Sequence, residues 1–144
     1  MSETPYVKTA LFPIVLFFTA LSLYCGSNLN DEDKILKLYS DLTIEYSKEN
    51  LRGIMKPVSK DFKSDIYNMS NYDDFMYSNA ALLKMNRNIS VDIRNIEITI
   101  NENNAEVVYK LHFISDQNEF MWKQKDYLIK SRGGWKIISK EELD

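Results

Sequence analysis

The stretch SVDIRNIEITINENNAEVVYKLHF, residues 90–113, decides how this chain is read. Its apolar residues recur at every second position, the period of a strand whose side chains point alternately to two faces. Val91 and Ile93 hold one phase while Ile96, Ile98 and Ile100 hold the other, so the phase slips at Arg94-Asn95. A slip of one residue would turn a whole strand inside out, and a β-bulge that bends the strand is the economical way to absorb it. Asn101-Glu102-Asn103-Asn104 supplies turn-tolerant residues and leads into Ala105, Val107, Tyr109, Leu111 and Phe113 in strict alternation. The segment is expected to form a long, bent antiparallel hairpin.

Reading outward, the polar loop Ser115 to Glu119 leads to a third strand, Phe120 to Lys130. Ser131-Arg132-Gly133-Gly134 then turns the chain into a fourth, Trp135 to Ser139. Upstream the period is that of helices. Asn30 or Asp31 can cap a helix whose first turn carries Asp31, Glu32 and Asp33, where acids oppose the positive end of the helix dipole. Ile35, Leu38, Tyr39, Leu42 and Tyr46 recur at helical spacing, and this helix is expected to end near Asn50. A short second piece, Leu51 to Met55, stops before Pro57. Val58 to Phe62 reads as a turn that drops Phe62 onto the core, and a third helix is expected from Tyr72 to Arg87. Three helices followed by four meandering strands make an α+β domain with its helices on one face of an antiparallel sheet.

A first helix ending in Glu49-Asn50-Leu51, then Val58-Ser59-Lys60-Asp61-Phe62, and above all the closing run from Tyr127 to Ile138 with its basic glycine turn and Trp135-Lys136-Ile137 resemble the nuclear transport factor 2-like superfamily. The resemblance covers roughly residues 31–140. It implies a cystatin-like cone, in which a curved sheet wraps a long helix around a pocket. It implies little about activity, because that superfamily mixes isomerases, dehydratases and cyclases with non-catalytic binding and dimerisation modules.

The N-terminus carries a second kind of information. The apolar run from Ala10 to Leu23 has Lys8 before it, contains Pro13, and is too short to span a bilayer comfortably. It fits the apolar region of an export signal. Leu21-Ser22-Leu23-Tyr24-Cys25-Gly26 resembles a relaxed lipobox, such as those of spirochaetal lipoproteins, although Ser22 stands where a branched apolar residue is usual and Tyr24 where a small one is. The expected organisation is a signal peptide at residues 1–24, a tether at 25–30 lipidated on Cys25, and one α+β domain at 31–144. The protein is accordingly expected to be exported and lipid-anchored to a bacterial envelope membrane.

Composition excludes several chemistries. The formal net charge is −3, and no Lys/Arg cluster could neutralise successive phosphates, which argues against nucleic acid. Cys25 is the sole cysteine and His112 the sole histidine. With Cys25 spent on lipid, Ser-His-Asp and Cys-His machinery and conventional zinc sites all lack parts. His112 is out of phase with Val107, Tyr109 and Leu111, so it is expected at the surface rather than in catalysis. Four glycines form no phosphate-binding loop. Neither a metal nor a cofactor is expected.

The acid–base chemistry that the resemblance permits would need a carboxylate in an apolar pocket and a hydroxyl or acid opposite. Phe120, Trp122, Gln124, Asp126 and Leu128 share one strand phase, so Trp122, Gln124, Asp126 and Tyr39 are the expected lining. Asp126 is the candidate base and Tyr39 or Tyr46 the candidate donor. Tyr127 and Ile129 alternate through the same strand, so a second bulge near Lys125 would instead turn Asp126 outward. Phe62, Phe75, Phe113, Trp122 and Trp135 are expected in the core. The favoured reading is a non-catalytic domain that binds a hydrophobic small molecule or a partner. A small isomerase- or dehydratase-type enzyme is the alternative, as is a structural module whose homodimer would use Val108, Ile114 or Ile138 on the sheet's other face.

Overall fold

A computed structural model describes residues 29–144; the expected signal peptide and Cys25 lie outside the described residues. Three helices, α1 (Asp31–Ser47), α2 (Leu51–Met55) and α3 (Tyr72–Met85), precede four strands, β1 (Ser90–Asn101), β2 (Asn104–Ile114), β3 (Glu119–Ser131) and β4 (Gly134–Leu143). The strands pair antiparallel in the order β1-β2-β3-β4. This is the expected α+β architecture.

The ends of the elements follow from local chemistry. The Asn30 side chain accepts a hydrogen bond from the Asp33 amide at 2.8 Å, and Asn71 does the same for Asp74 at 3.0 Å, so each long helix starts on a cap that satisfies a free N–H. α1 stops at Ser47, three residues before the expected end, because Glu49 takes a left-handed conformation at φ 53°. α3 stops two residues short of Arg87: Asn86 is already extended, and its side-chain amide donates back to the Leu82 carbonyl.

Two bulges bend the sheet. In β1 the pairing jumps between Arg94 and Glu97, with Asn95 at φ 53°, where the slipped phase placed the bulge. Asparagine tolerates that left-handed angle better than most residues. The second bulge lies not in β3 near Lys125 but in β4, where Tyr127 faces Ser139 and Leu128 faces Ile137, leaving Ile138 as the extra residue. β3 therefore alternates without interruption, and Gln124, Asp126 and Leu128 all point inward. β4 runs four residues beyond the expected Ser139, and its bulge turns Lys140 inward after Trp135 and Ile137.

The inward face of the sheet and α1 enclose the core. Ile35, Ile54, Phe62, Val107, Phe113, Leu128 and Ile137 are almost wholly buried, and Phe75 and Trp135 nearly so. Trp122 departs from the core set because it is only half-buried. The segment 57–64 runs along β4: Ile137 donates to the Pro57 carbonyl, and Ser59 and Lys63 donate to the carbonyls of Ile137 and Ile138. It covers the last strand's edge and satisfies the bulged backbone. On the sheet's outer face Ile114 is exposed and Val108 and Ile138 are partly covered. His112 also points outward, but its side chain is only 14% exposed and its Nε2 lies 2.8 Å from Glu119 Oε1, so it is tucked against the sheet rather than freely solvated.

Candidate functional site

At the heart of the cone sit five polar side chains, four brought together by strand register and one supplied by α1. Val107 pairs with Asp126 across β2–β3, Tyr109 with Gln124 one step along, and Asp126 with Lys140 across β3–β4. Asp126 is fully buried and Lys140 is 8% exposed. The Lys140 ammonium donates to both carboxylate oxygens of Asp126, at 2.8 and 2.7 Å, and to the Tyr109 hydroxyl at 3.0 Å, which uses all three of its protons. From α1, the Tyr39 hydroxyl donates to Asp126 Oδ2 at 2.7 Å. The Tyr109 hydroxyl lies 3.0 Å from Gln124 Oε1 and 3.1 Å from Asp126 Oδ2. Two charges removed from water are tolerable only when paired and hydrogen-bonded in this way.

This arrangement fixes protonation. Burial first, then the Asp126 carboxylate, pushes the Tyr39 and Tyr109 phenols well above the ordinary tyrosine value of 10.0. Both stay neutral donors at physiological pH. Burial and the same carboxylate also raise the Tyr46 phenol. Tyr46 does not reach Asp126, however; its hydroxyl donates to Asn79 Oδ1 at 2.6 Å, and Asn79 Nδ2 donates to the Phe75 carbonyl.

Between this cluster and the helices lies a cavity of about 260 Å³. Leu42, Phe75, Leu82, Val91 and Trp122 form much of its wall, and Tyr39, Tyr109, Gln124 and Lys140 its polar end. Phe113, Phe120 and Trp122 stack in series from the core toward the cavity, with ring centroids 4.5 and 4.7 Å apart. Asp126 does not line the cavity; it stands behind Lys140 and the tyrosines. A second depression, lined by residues of the 64–70 loop and by Asp74 and Tyr77, is wide open to solvent and shares none of the five polar-cluster side chains. Among the described residues no group of three His, Cys, Asp or Glu side chains could hold a metal ion, and no helix is long and apolar enough to cross a membrane.

Of the residues singled out from sequence, the structure brings Tyr39, Gln124 and Asp126 into contact through one network and places Trp122 on the cavity wall. Tyr46 lines the cavity but belongs to a separate pair with Asn79. Lys140 and Tyr109 were not singled out. Tyr109 carried a signal, since it shares the inward phase of β2, but it read as plain core. Lys140 lies three positions after Ile137, and only a bulge between them brings both to one face.

The sequence matches no protein-family model and no curated protein at a significant level. Its fold does match solved structures. A protein of unknown function with a cystatin-like fold from Nostoc punctiforme aligns over 80% of this chain and 91% of its own, with a TM-score of 0.66 at 16% identity. A candidate scytalone dehydratase from Novosphingobium aromaticivorans aligns over 86% of both chains, with a TM-score of 0.68 at 16% identity. An NTF2-like protein of unknown function from Pseudomonas putida aligns over 77% of this chain and 84% of its own, with a TM-score of 0.67 at 10% identity. The chain has the cystatin-like, nuclear transport factor 2-like fold.

Proposed function

We propose that this domain is a binding module for a small, largely apolar ligand held in the cone, and that it does no chemistry on that ligand. One observation carries the reading: the carboxylate singled out as a candidate base, Asp126, is closed off from the cavity and occupied by Lys140 and Tyr39. A general base must reach the proton it removes, directly or through one water. What does face the cavity is apolar and aromatic wall, and its volume sits at or just below the small end of the usual range for ligand pockets. That size suits a mono- or bicyclic molecule. Methyl-detected NMR titration with indane tests the reading. Saturable shifts at Leu42, Leu82 and Val91, abolished when Val91→Phe fills the cavity, are expected; no saturable shift in the wild type would sink it.

A second reading keeps Asp126 as a base with Tyr39 as its donor, favoured by their 2.7 Å contact and by the dehydratase-like relative. It requires the Lys140 bridge to open during turnover. Under that reading Asp126→Asn abolishes turnover of a hydroxylated or enolisable aromatic while leaving the affinity for indane intact.

We further propose that the domain is exported and tethered to an envelope membrane through lipid on Cys25. Mass spectrometry of the native N-terminal peptide decides this. A diacylglycerol-modified Cys25 supports it, and an unprocessed Met1 contradicts it.

A further inference from the structure

Counting donors and acceptors around the cavity says more about the ligand than its size does. Every hydroxyl on the wall donates its proton to the protein. Thr43 gives to the Ser40 carbonyl, Ser78 to the Asn68 carbonyl, Tyr46 to Asn79 and Tyr39 to Asp126. Lys140 has no proton left, and Asn79 Nδ2 gives one of its two protons to the Phe75 carbonyl. Gln124 is different. Asp126 Oδ2 already accepts from Lys140 and Tyr39, and the Tyr109 oxygen already accepts from Lys140. The Tyr109 proton therefore goes to the remaining acceptor, Gln124 Oε1, at 3.0 Å. That bond fixes the orientation of the amide, because a reversed amide would place two donors face to face. Gln124 Nε2 is left on the cavity wall with no partner among the described residues.

We infer that the cavity selects a planar apolar molecule bearing a neutral hydrogen-bond acceptor, of the ketone, aldehyde or amide carbonyl class, which Gln124 Nε2 meets at the polar end. The inference rests on the binding reading above and specifies its ligand. An apolar ligand filling the cavity would strip water from this amide N–H at a cost, and a ligand oxygen placed there restores the bond. A carboxylate is a poorer match, since the one nearby cation is already neutralised by Asp126 and has no free proton. A ligand whose only polar group is a donor leaves both Gln124 Nε2 protons unmet.

Three bicyclic probes of similar size separate the possibilities: indane with no polar group, 1-indanone with an acceptor, and indole with a donor. Their affinities are read from methyl and Gln124 side-chain NMR shifts of the domain spanning the described residues, prepared as part of the full chain. The expected result is that 1-indanone binds roughly three- to tenfold more tightly than indane, the factor one net hydrogen bond supplies. It should shift the Gln124 Nε2 protons, whereas indole should gain nothing over indane. In Gln124→Leu, the 1-indanone advantage should vanish while indane still binds. If indane or indole equals or exceeds 1-indanone in the wild type, the inference is overturned and the binding reading stands. If none of the three binds, the binding reading itself fails. The wild-type comparison decides the matter even where Gln124→Leu unfolds.

Discussion

Replacing Lys140 with methionine removes one charge from a pair that is almost completely withdrawn from solvent and leaves the Asp126 carboxylate with the Tyr39 phenol as its donor. Breaking a buried pair on one side costs about 3–5 kcal/mol, because the surviving charge keeps its desolvation penalty and loses its counter-charge. For a domain of this size each kcal/mol lowers the melting temperature by roughly 4 °C, so Lys140→Met should melt roughly 12–20 °C below the wild type. Asp126→Asn is expected to be comparably harmful, because it strands the ammonium instead. The double variant Asp126→Asn/Lys140→Met removes both charges yet keeps an amide oxygen to accept from Tyr39. It should be more stable than either single variant, with a coupling of about 2 kcal/mol or more. Urea unfolding followed by circular dichroism measures all four proteins. Additivity within about 0.5 kcal/mol, or a loss below about 1 kcal/mol for Lys140→Met, would refute the claim that these two charges compensate each other in the fold.

Three further outcomes follow from named residues. Burial keeps Tyr39 and Tyr109 neutral well past 10.0, and folded phenols with raised pKa contribute stability that is complete below the unfolded value and lost as pH climbs above it. Stability should therefore begin to fall above about pH 10, with part of the phenolate absorbance appearing only as the protein unfolds; full ionisation of all tyrosines near pH 10 with circular dichroism unchanged would contradict this. Asn95 holds φ 53° at the β1 bulge, so Asn95→Val should cost about 1–2 kcal/mol while Asn95→Gly is tolerated, and equal denaturation midpoints for the two would remove the bulge from the account. Asn30→Ala, which deletes the cap on the Asp33 amide, should cost about 1 kcal/mol in the same assay, and no loss would mean that α1 does not start there.

The fold was legible because periodicity survives without knowledge of contacts. The slipped phase at Arg94-Asn95 located a bend, the alternation through Phe113 placed the inward face of β2, and Phe120 to Leu128 placed Asp126 and Gln124 beside each other's neighbours on β3. Tyr39 was readable as inward-facing from the helical spacing of α1. The chemistry of Asp126 was not readable, because it depends on its partner. That partner reaches the core through an extra residue, Ile138, which carries no compositional mark and resembles an ordinary strand residue. A bulge in β1 announces itself through five isoleucines and valines; a bulge in β4 followed by lysine and two glutamates leaves nothing apolar to reveal the change of phase. Without Lys140, Asp126 reads as a candidate base. With it, Asp126 reads as the anchor of a closed polar network and the cavity in front of it as a place for something apolar.

The most direct test of that account is a crystal structure of the protein under xenon pressure, since a dry apolar cavity takes up xenon and a polar or collapsed one does not. The account predicts xenon density between Leu42, Phe75 and Trp122, with Asp126 still bridged to Lys140. A cavity filled by its own side chains, or an Asp126 carboxylate freed from Lys140 and open to the pocket, would contradict it.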